Sequence, residues 1–554
     1  MAIKRYTADA DNTIVNAYKP NLTTRGTGSN MGAADVMEIY SIYGRQSTSS
    51  AELSRALVKF PVSDISSDRT AGTIPASGSV KFYLRLFNAP HSRAVPESYK
   101  LVVNLVSQSW QEGSGLDLEG YKDVTLGNVG SNWMSASNTA VWKDISNALK
   151  AGGSYITGSG NIAKIVNTEI FTFEQTFTTG LENMELNITP MVEQWIAGTY
   201  SNYGVGIRLS SSYEASSSVS TYNPADADTI GVSDDTGVLM NVSGATTSYY
   251  TKRFFARNSQ FFFKRPVLEA RWDDSKRDDR GDFFRSSSLA PAGDNLNTLY
   301  MYNYVRGRLT DIPGLGAQKR VYVSIFSGTL ENDGPTTGSG VQQLDVDNVG
   351  HVTSTNRYVV TGGIVSTGIY SASFAMTGAI SLTPMYDVWF TGSHQTKNAD
   401  DWTATQYFTG TIKPLSLDAS EIKTRPTYYM NITNLKDRYR QDEQARFNLY
   451  VREKNWNPTI YTKANATAPA TSIHSASYRV YRIIDAYDAV PYGTGSDNHT
   501  MLSYDVSGNY FDFNMNLLES GYEYAFKFAF YESDLDSWRE QPYVFRFRVE
   551  DYEY

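Results

Sequence analysis

The stretch Ile188–Leu209, ITPMVEQWIAGTYSNYGVGIRL, decides how the first half of this chain is read. Thr189 is placed to cap a helix with Pro190 at its first position, where the missing N–H costs nothing. Met191, Val192, Trp195 and Ile196 then share one face, and Gly198 is placed to stop the turn in a left-handed conformation. Glu193 and Gln194 fall on the outer side, so Glu193 reads as a solvated carboxylate. Asn202 and Gly204 suit a tight turn around Tyr203 that feeds a strand, Val205–Leu209. The stretch therefore reads as a lid on the end of a strand-built domain, with Trp195 in its core. Its T-P-M-x-x-x-W-x-x-G skeleton returns at Thr383–Gly392 (TPMYDVWFTG). There Tyr386, Val388 and Phe390 alternate, which predicts a strand and no second copy of the lid.

Working outward, the rest of the chain carries the same strand signal. At 554 residues it is too long for one typical domain. Its 39 Tyr and 25 Phe, with only 19% charged residues, favour strands. A net charge of -9 argues against a nucleic-acid or anionic-membrane partner, both of which need a basic stripe. The chain has no cysteine, so neither disulfides nor thiolate metal sites are available to it. The first residues lack the apolar run of about 7–15 residues that marks a signal peptide. No run of about 18 apolar residues is present, so no membrane insertion is expected.

Short strand patterns recur in Ala56–Val62, Ser79–Phe87, Ser98–Val106 and Tyr203–Ser210, parted by Gly-, Ser- and Pro-bearing loops. Asn138–Lys150 reads as a short helix stopped by Gly152-Gly153. The charge-dense stretch from Asp273 to Ser288 reads as an exposed connector. Further strands are predicted at Arg320–Phe326, Ser371–Met376 and Tyr407–Ile412, then at Arg446–Lys454, Ser477–Ile484, Tyr522–Tyr531 and Tyr543–Glu550. The expected fold is all-β: three β-sandwich domains (jelly-roll or immunoglobulin-like) in series, with a few short helices in the first. Their expected bounds are 1–273, a connector at 274–288, then 289–420 and 421–554.

Signatures of chemistry are sparse. The five histidines (His91, His351, His394, His474 and His499) show no metal-binding spacing, and no cofactor is implied. Asp226 and Asp228 are loop candidates for calcium, although no EF-hand pattern surrounds them. A polysaccharide-cleaving site needs only two carboxylates, and Glu112 and Glu193 each sit near a tryptophan. Those tryptophans serve equally well as core. No residue is assigned as catalytic. A glycan platform, if the chain has one, would draw on Trp110, Trp133 and Tyr203.

Two resemblances narrow the function. The order Arg55–Ser63, SWQEG (Ser109–Gly113), the lid stretch and KRPVLEARW (Lys264–Trp272) resembles the DNRLRE-type domain, a β sandwich related to carbohydrate-binding modules. Asp11-Asn12-Thr13 and Asn30-Met31-Gly32 match the pattern that precedes its first strands. The second half is similar to structural proteins of tailed marine bacteriophages, through Asn295–Leu309, Gly368–Met376, Tyr386–Gly392, Gln406–Pro414 and Leu502–Phe528. This resemblance implies a non-enzymatic virion component of the tail, neck or fibre, made in the host cytoplasm. Its partners would be other virion proteins, in a cyclic homo-oligomer, and a host surface glycan is the alternative ligand.

Overall fold

A computed structural model describes residues 2–18, 25–26, 28–44, 51–90, 94–116, 130–144, 147, 149–156, 172–217, 239–287, 289–315, 319–328, 344–347, 358–376, 385–391, 405–414, 427–454, 470–493, 495–532 and 535–551. The protein is all-β, and it divides into two compact units. One comprises Ala2–Asp273 with Gly495–His499. The other comprises Asp274–Thr494 and Thr500–Tyr554, with Met1.

The first unit is built like a sandwich. One antiparallel sheet has the order Ile3–Thr7, Val267–Trp272, Val80–Leu86, Met184–Asn187. The other runs Thr172–Phe177, Tyr99–Val106, Val205–Leu209, Ala51–Lys59, Val36–Tyr43, Tyr249–Phe255. In Val80–Leu86 the alternate residues Val80, Phe82, Leu84 and Leu86 are buried in the same core as Leu101, Val103, Val205 and Ile207. Arg85 is buried as well, because it meets the carboxylate of Glu269 at 2.9 Å. Arg5 and Arg271 reach that same carboxylate. Burial would raise its pKa, but the three guanidinium groups prevail and hold it well below the usual range.

The lid forms as a helix, Thr189–Ile196, with Met191, Val192 and Trp195 buried in this core. Two details differ from the sequence reading. Thr189 is already helical, and its hydroxyl accepts from the Phe82 amide, so it ties the lid to a strand and does not cap the helix. Glu193 is not solvated: both its oxygens are 2.7 Å from Arg69 of the helix Val62–Thr70. Gly198 takes its left-handed turn (φ +73°) as expected. At Gly204 (φ +79°) a Cβ would collide with the Val58 carbonyl, so the tight turn needs glycine twice over. The helix read at Asn138–Lys150 does not form. Ala140–Val141 is a strand paired with Ser135–Ser137, and Lys143 bridges Leu149.

The second unit holds three larger sheets. One has the order Asn297–Tyr302, Ile369–Met376, Val360–Ser366, Val321–Ser327, Met385–Thr391, Thr405–Ile412, with Val346–Asp347 against Ile369–Met376. The strand expected within Thr383–Gly392 is thus Met385–Thr391. The C-terminal sheets are Tyr428–Ile432, Gln444–Glu453, Gly508–Asn514, Ser503–Asp505 and, facing them, Arg438–Arg440, Phe545–Glu550, Glu523–Glu532, Ala476–Arg482, Asp488–Val490. An aromatic seam joins this pair. Phe447 lies 4.8 Å from Phe526, and Tyr478 lies 4.5 Å from Phe511.

The charged stretch after Asp273 is not an exposed connector. Asp278, Asp279 and Arg280 are buried. Arg280 grips Asp387 at 2.7 Å, approaches Asp278 at 2.5 Å and donates to the Tyr300 carbonyl. Asp279 accepts from the Tyr504 hydroxyl at 2.6 Å. Polar letters misled the sequence reading because Asp387, Tyr300 and Tyr504, which hold Arg280 and Asp279 in the interior, are supplied by the tertiary fold.

Two outcomes follow for stability. Trp195→Ala should cost roughly 3–5 kcal/mol, the usual penalty for emptying a buried tryptophan site, in denaturant melts of the whole chain. An unchanged transition would show that the indole is not core. Arg280→Ala should cost roughly 3–5 kcal/mol, because it strands a buried Asp387. Arg280→Met combined with Asp387→Leu should recover much of that loss in the same melts.

Candidate functional site

Three elements that the sequence reading kept apart meet at one end of the first unit. The Asn12 amide donates to the carbonyl and hydroxyl of Ser131, and its oxygen accepts from the Met31 amide. Asn30 accepts from the Gly115 amide at 3.0 Å. A Cβ at Gly113 or Gly115 would run into Asn30, so GSG in SWQEGSG serves close backbone packing. Glu112 belongs to this knot. Its carboxylate takes Arg257 through two bonds (3.2 and 2.9 Å) and accepts the Asp11 amide at 2.9 Å.

Asp11 is the chemically unusual member. It is fully buried, and one of its oxygens accepts the Arg257 amide at 2.5 Å. The other oxygen has no partner among the described residues. Burial pushes the carboxyl up to about 7; the Arg257 amide opposes that shift and the Glu112 charge adds to it.

The glycan candidates separate. Trp133 is fully buried among Ile14, Leu57, Val106 and Trp142, so it cannot join an exposed platform. Trp110 and Tyr203 do come together: the indole N–H donates to the Tyr203 carbonyl at 2.7 Å, and both rings are half-buried. Tyr203 also lines a cleft of about 510 Å³ with Tyr200, Gln108, Lys143, Asp144 and Asn147. Gln108 is engaged with the scaffold through the Val141 carbonyl and the Lys143 amide. Asp226 and Asp228 lie outside the described residues. Among the described residues, no group of three or more His, Asp or Glu side chains is placed to hold a metal ion. His474 and His499 each lie 3.2 Å from an aspartate, Asp282 and Asp497.

Both carboxylates weighed for catalysis are therefore held by arginine, Glu112 by Arg257 and Glu193 by Arg69. Sequence reading missed these pairs because their partners lie far along the chain. No protein-family model and no curated protein matches this chain. No described helix is long and apolar enough to cross a membrane.

Asp11 sets a pH dependence. Its folded pKa, about 7, lies above its ordinary 3.8. Across that window the native state keeps a proton that the unfolded chain releases, so stability contributed here is lost as pH rises. Asp11→Asn should flatten the fall in melting temperature between those pH values. Asp278, which burial also raises to about 7, should supply the slope that remains. An unchanged slope in Asp11→Asn would place the titration elsewhere.

Proposed function

We propose that this protein is a non-enzymatic structural component of a tailed-bacteriophage particle, working through assembly contacts between strand edges. One observation carries the reading. The edge strand Thr405–Ile412 (TQYFTGTI) has no charged residue, and its first five residues are exposed. Tyr407 and Phe408 are each 38% exposed. An uncharged edge with no outer partner strand among the described residues is a template for pairing with another chain, although the register shift at Tyr407 breaks its regularity. Tyr304 and Val305 are also exposed, beside the strand Asn297–Tyr302 at the other end of that sheet's order. The resemblance of the second half to tailed-phage structural proteins gives the partners their class: other virion proteins and further copies of the chain.

The cleft beside Tyr203 favours a second reading, a glycan-binding module for host surface polysaccharide, since ring faces beside polar groups suit a sugar. The paired state of Glu112 and Glu193 speaks against polysaccharide cleavage by those two residues.

Proteomics of purified particles should find the chain, and native mass spectrometry should find a closed ring of copies that Phe408→Lys breaks into monomers. A strictly monomeric protein absent from particles would overturn the assembly reading. Saturable binding of host polysaccharide, lost in Tyr203→Ala, would select the glycan reading in its place.

A further inference from the structure

Inside the first unit, well away from the loop knot, lies a group of side chains that neither reading uses. Lys252 is 1% exposed and sits in the strand Tyr249–Phe255. Its amine is 2.6 Å from Oδ1 of Asn88, which follows the strand Val80–Leu86 of the other sheet. Given a carbonyl length of about 1.23 Å, the nitrogen lies no further than about 3.8 Å from the amide carbon Cγ. The Gly180 and Glu182 carbonyls, at 2.9 and 2.8 Å, fix the amine in that position. The rings of Phe177 and Phe254 stand 5.0 and 4.9 Å away, and Tyr99 stacks on Phe177.

A carboxylate completes the group. Oε1 of Glu182 accepts from the Thr178 and Thr179 amides and from the Thr178 hydroxyl. Its Oε2 is buried and has no hydrogen-bond partner among the described residues. The chain thus holds an amine against a primary carboxamide beside aromatic rings, with the Glu182 charge near enough to act on the amine. A structural ammonium would be satisfied by these three oxygens; what it leaves unexplained is the Glu182 oxygen with no partner among the described residues.

We propose that Lys252 and Asn88 condense to an intramolecular isopeptide bond that ties the two sheets together, with Glu182 relaying the proton. The free amine of Lys252 attacks Cγ of Asn88, and the Nζ–Cγ bond forms. Glu182 takes a proton from Nζ and delivers it to Nδ2. The Cγ–Nδ2 bond then breaks, and ammonia leaves with that proton. Nothing is oxidised or reduced, and no co-reactant is consumed. Burial favours the reactive form, pulling the Lys252 pKa down to about 7 against the opposing charge of Glu182. Holding amine and carboxamide in contact makes the step effectively unimolecular. The new bond closes a loop in a chain that has no cysteine for a disulfide.

The proposal does not depend on the assembly reading, and the denatured full-length chain tests it. Its intact mass should fall short of the sequence mass by one ammonia. Tryptic digestion should release a branched peptide containing both Lys252 and Asn88. Lys252→Arg and Asn88→Ser should each show the full mass and no branched peptide. Glu182→Gln, which keeps an oxygen for the Thr178 and Thr179 amides, should fold and yet stay uncrosslinked for far longer. A wild-type chain of full mass overturns the bond outright, with no variant needed. Loss of ammonia without the branched peptide overturns it too, since that is succinimide formation. Crosslinking of Glu182→Gln at the wild-type rate removes Glu182 from the chemistry.

Discussion

A charge taken out of water must meet a fixed partner or give up its charge, and that constraint organises both units of this protein. Arg280 shows it most clearly. It is buried between Asp278 and Asp387, and Asp387 also accepts the indole N–H of Trp389 at 2.7 Å. The arginine therefore fixes the stretch after Asp273 to the strand Met385–Thr391. Two residues earlier in the chain, Asp278 takes the amide of Arg280 itself. The next residue, Asp279, receives Tyr504 and the Thr298 amide. One short charged segment thereby specifies the register of strands that are far apart in sequence. Hydrophobic burial supplies most of the driving force and penalises a one-residue slip, and this network adds a second constraint on the same register.

The first unit applies the same rule in another place. Glu269 gathers Arg5, Arg85 and Arg271 on one sheet, and Arg55 of the other sheet meets Glu214 at 3.0 Å. Glu112 and Glu193 belong to this series. Each sits near a tryptophan, which made both look like sugar chemistry, and each turns out to be half of an arginine pair joining distant segments. Glu193 fixes the lid helix to the helix Val62–Thr70, while Trp195 on the opposite side of the lid enters the core. A carboxylate held by two charge-assisted bonds is a good clamp.

How much of this was legible follows the range of each signal. Strands were readable wherever alternation was local, as in Val80–Leu86 and Phe545–Glu550. The lid was readable because its helix, stop and turn lie in one continuous stretch. The helix at Asn138–Lys150 was misread because a helical letter pattern carries no information about the strand Ser135–Ser137 that captures it. Burial of Asp278–Arg280 was invisible, since Asp387, Tyr300, Thr298 and Tyr504, which hold Arg280 and Asp279, lie elsewhere in the chain. Of the glycan candidates, Trp110 and Tyr203 converge, while Trp133 is core, a distinction that turns on burial and not on residue type. Lys252 did leave a trace. In YYTKRFF it has the same phase as Phe254, so the alternation places a lysine on the inward face.

The strand edges show why charge pairing and assembly are linked. The strand Ser537–Glu540 is also exposed and carries Trp538, but it guards itself: Arg539 pairs with Glu532, and Glu540 pairs with Lys527 and Arg479. A neighbouring strand that docked there would have to desolvate those ions without replacing them. Thr405–Ile412 has no such guard. Arg280, which packs against the Phe408 ring, is already committed to Asp387, and Lys413 follows at the end of the strand. The network that fixes the register of the second unit therefore also consumes the charge that would have blocked its open edge. On the proposed assembly reading, a partner strand adding at Thr405–Ile412 would meet no ion on that strand itself to desolvate.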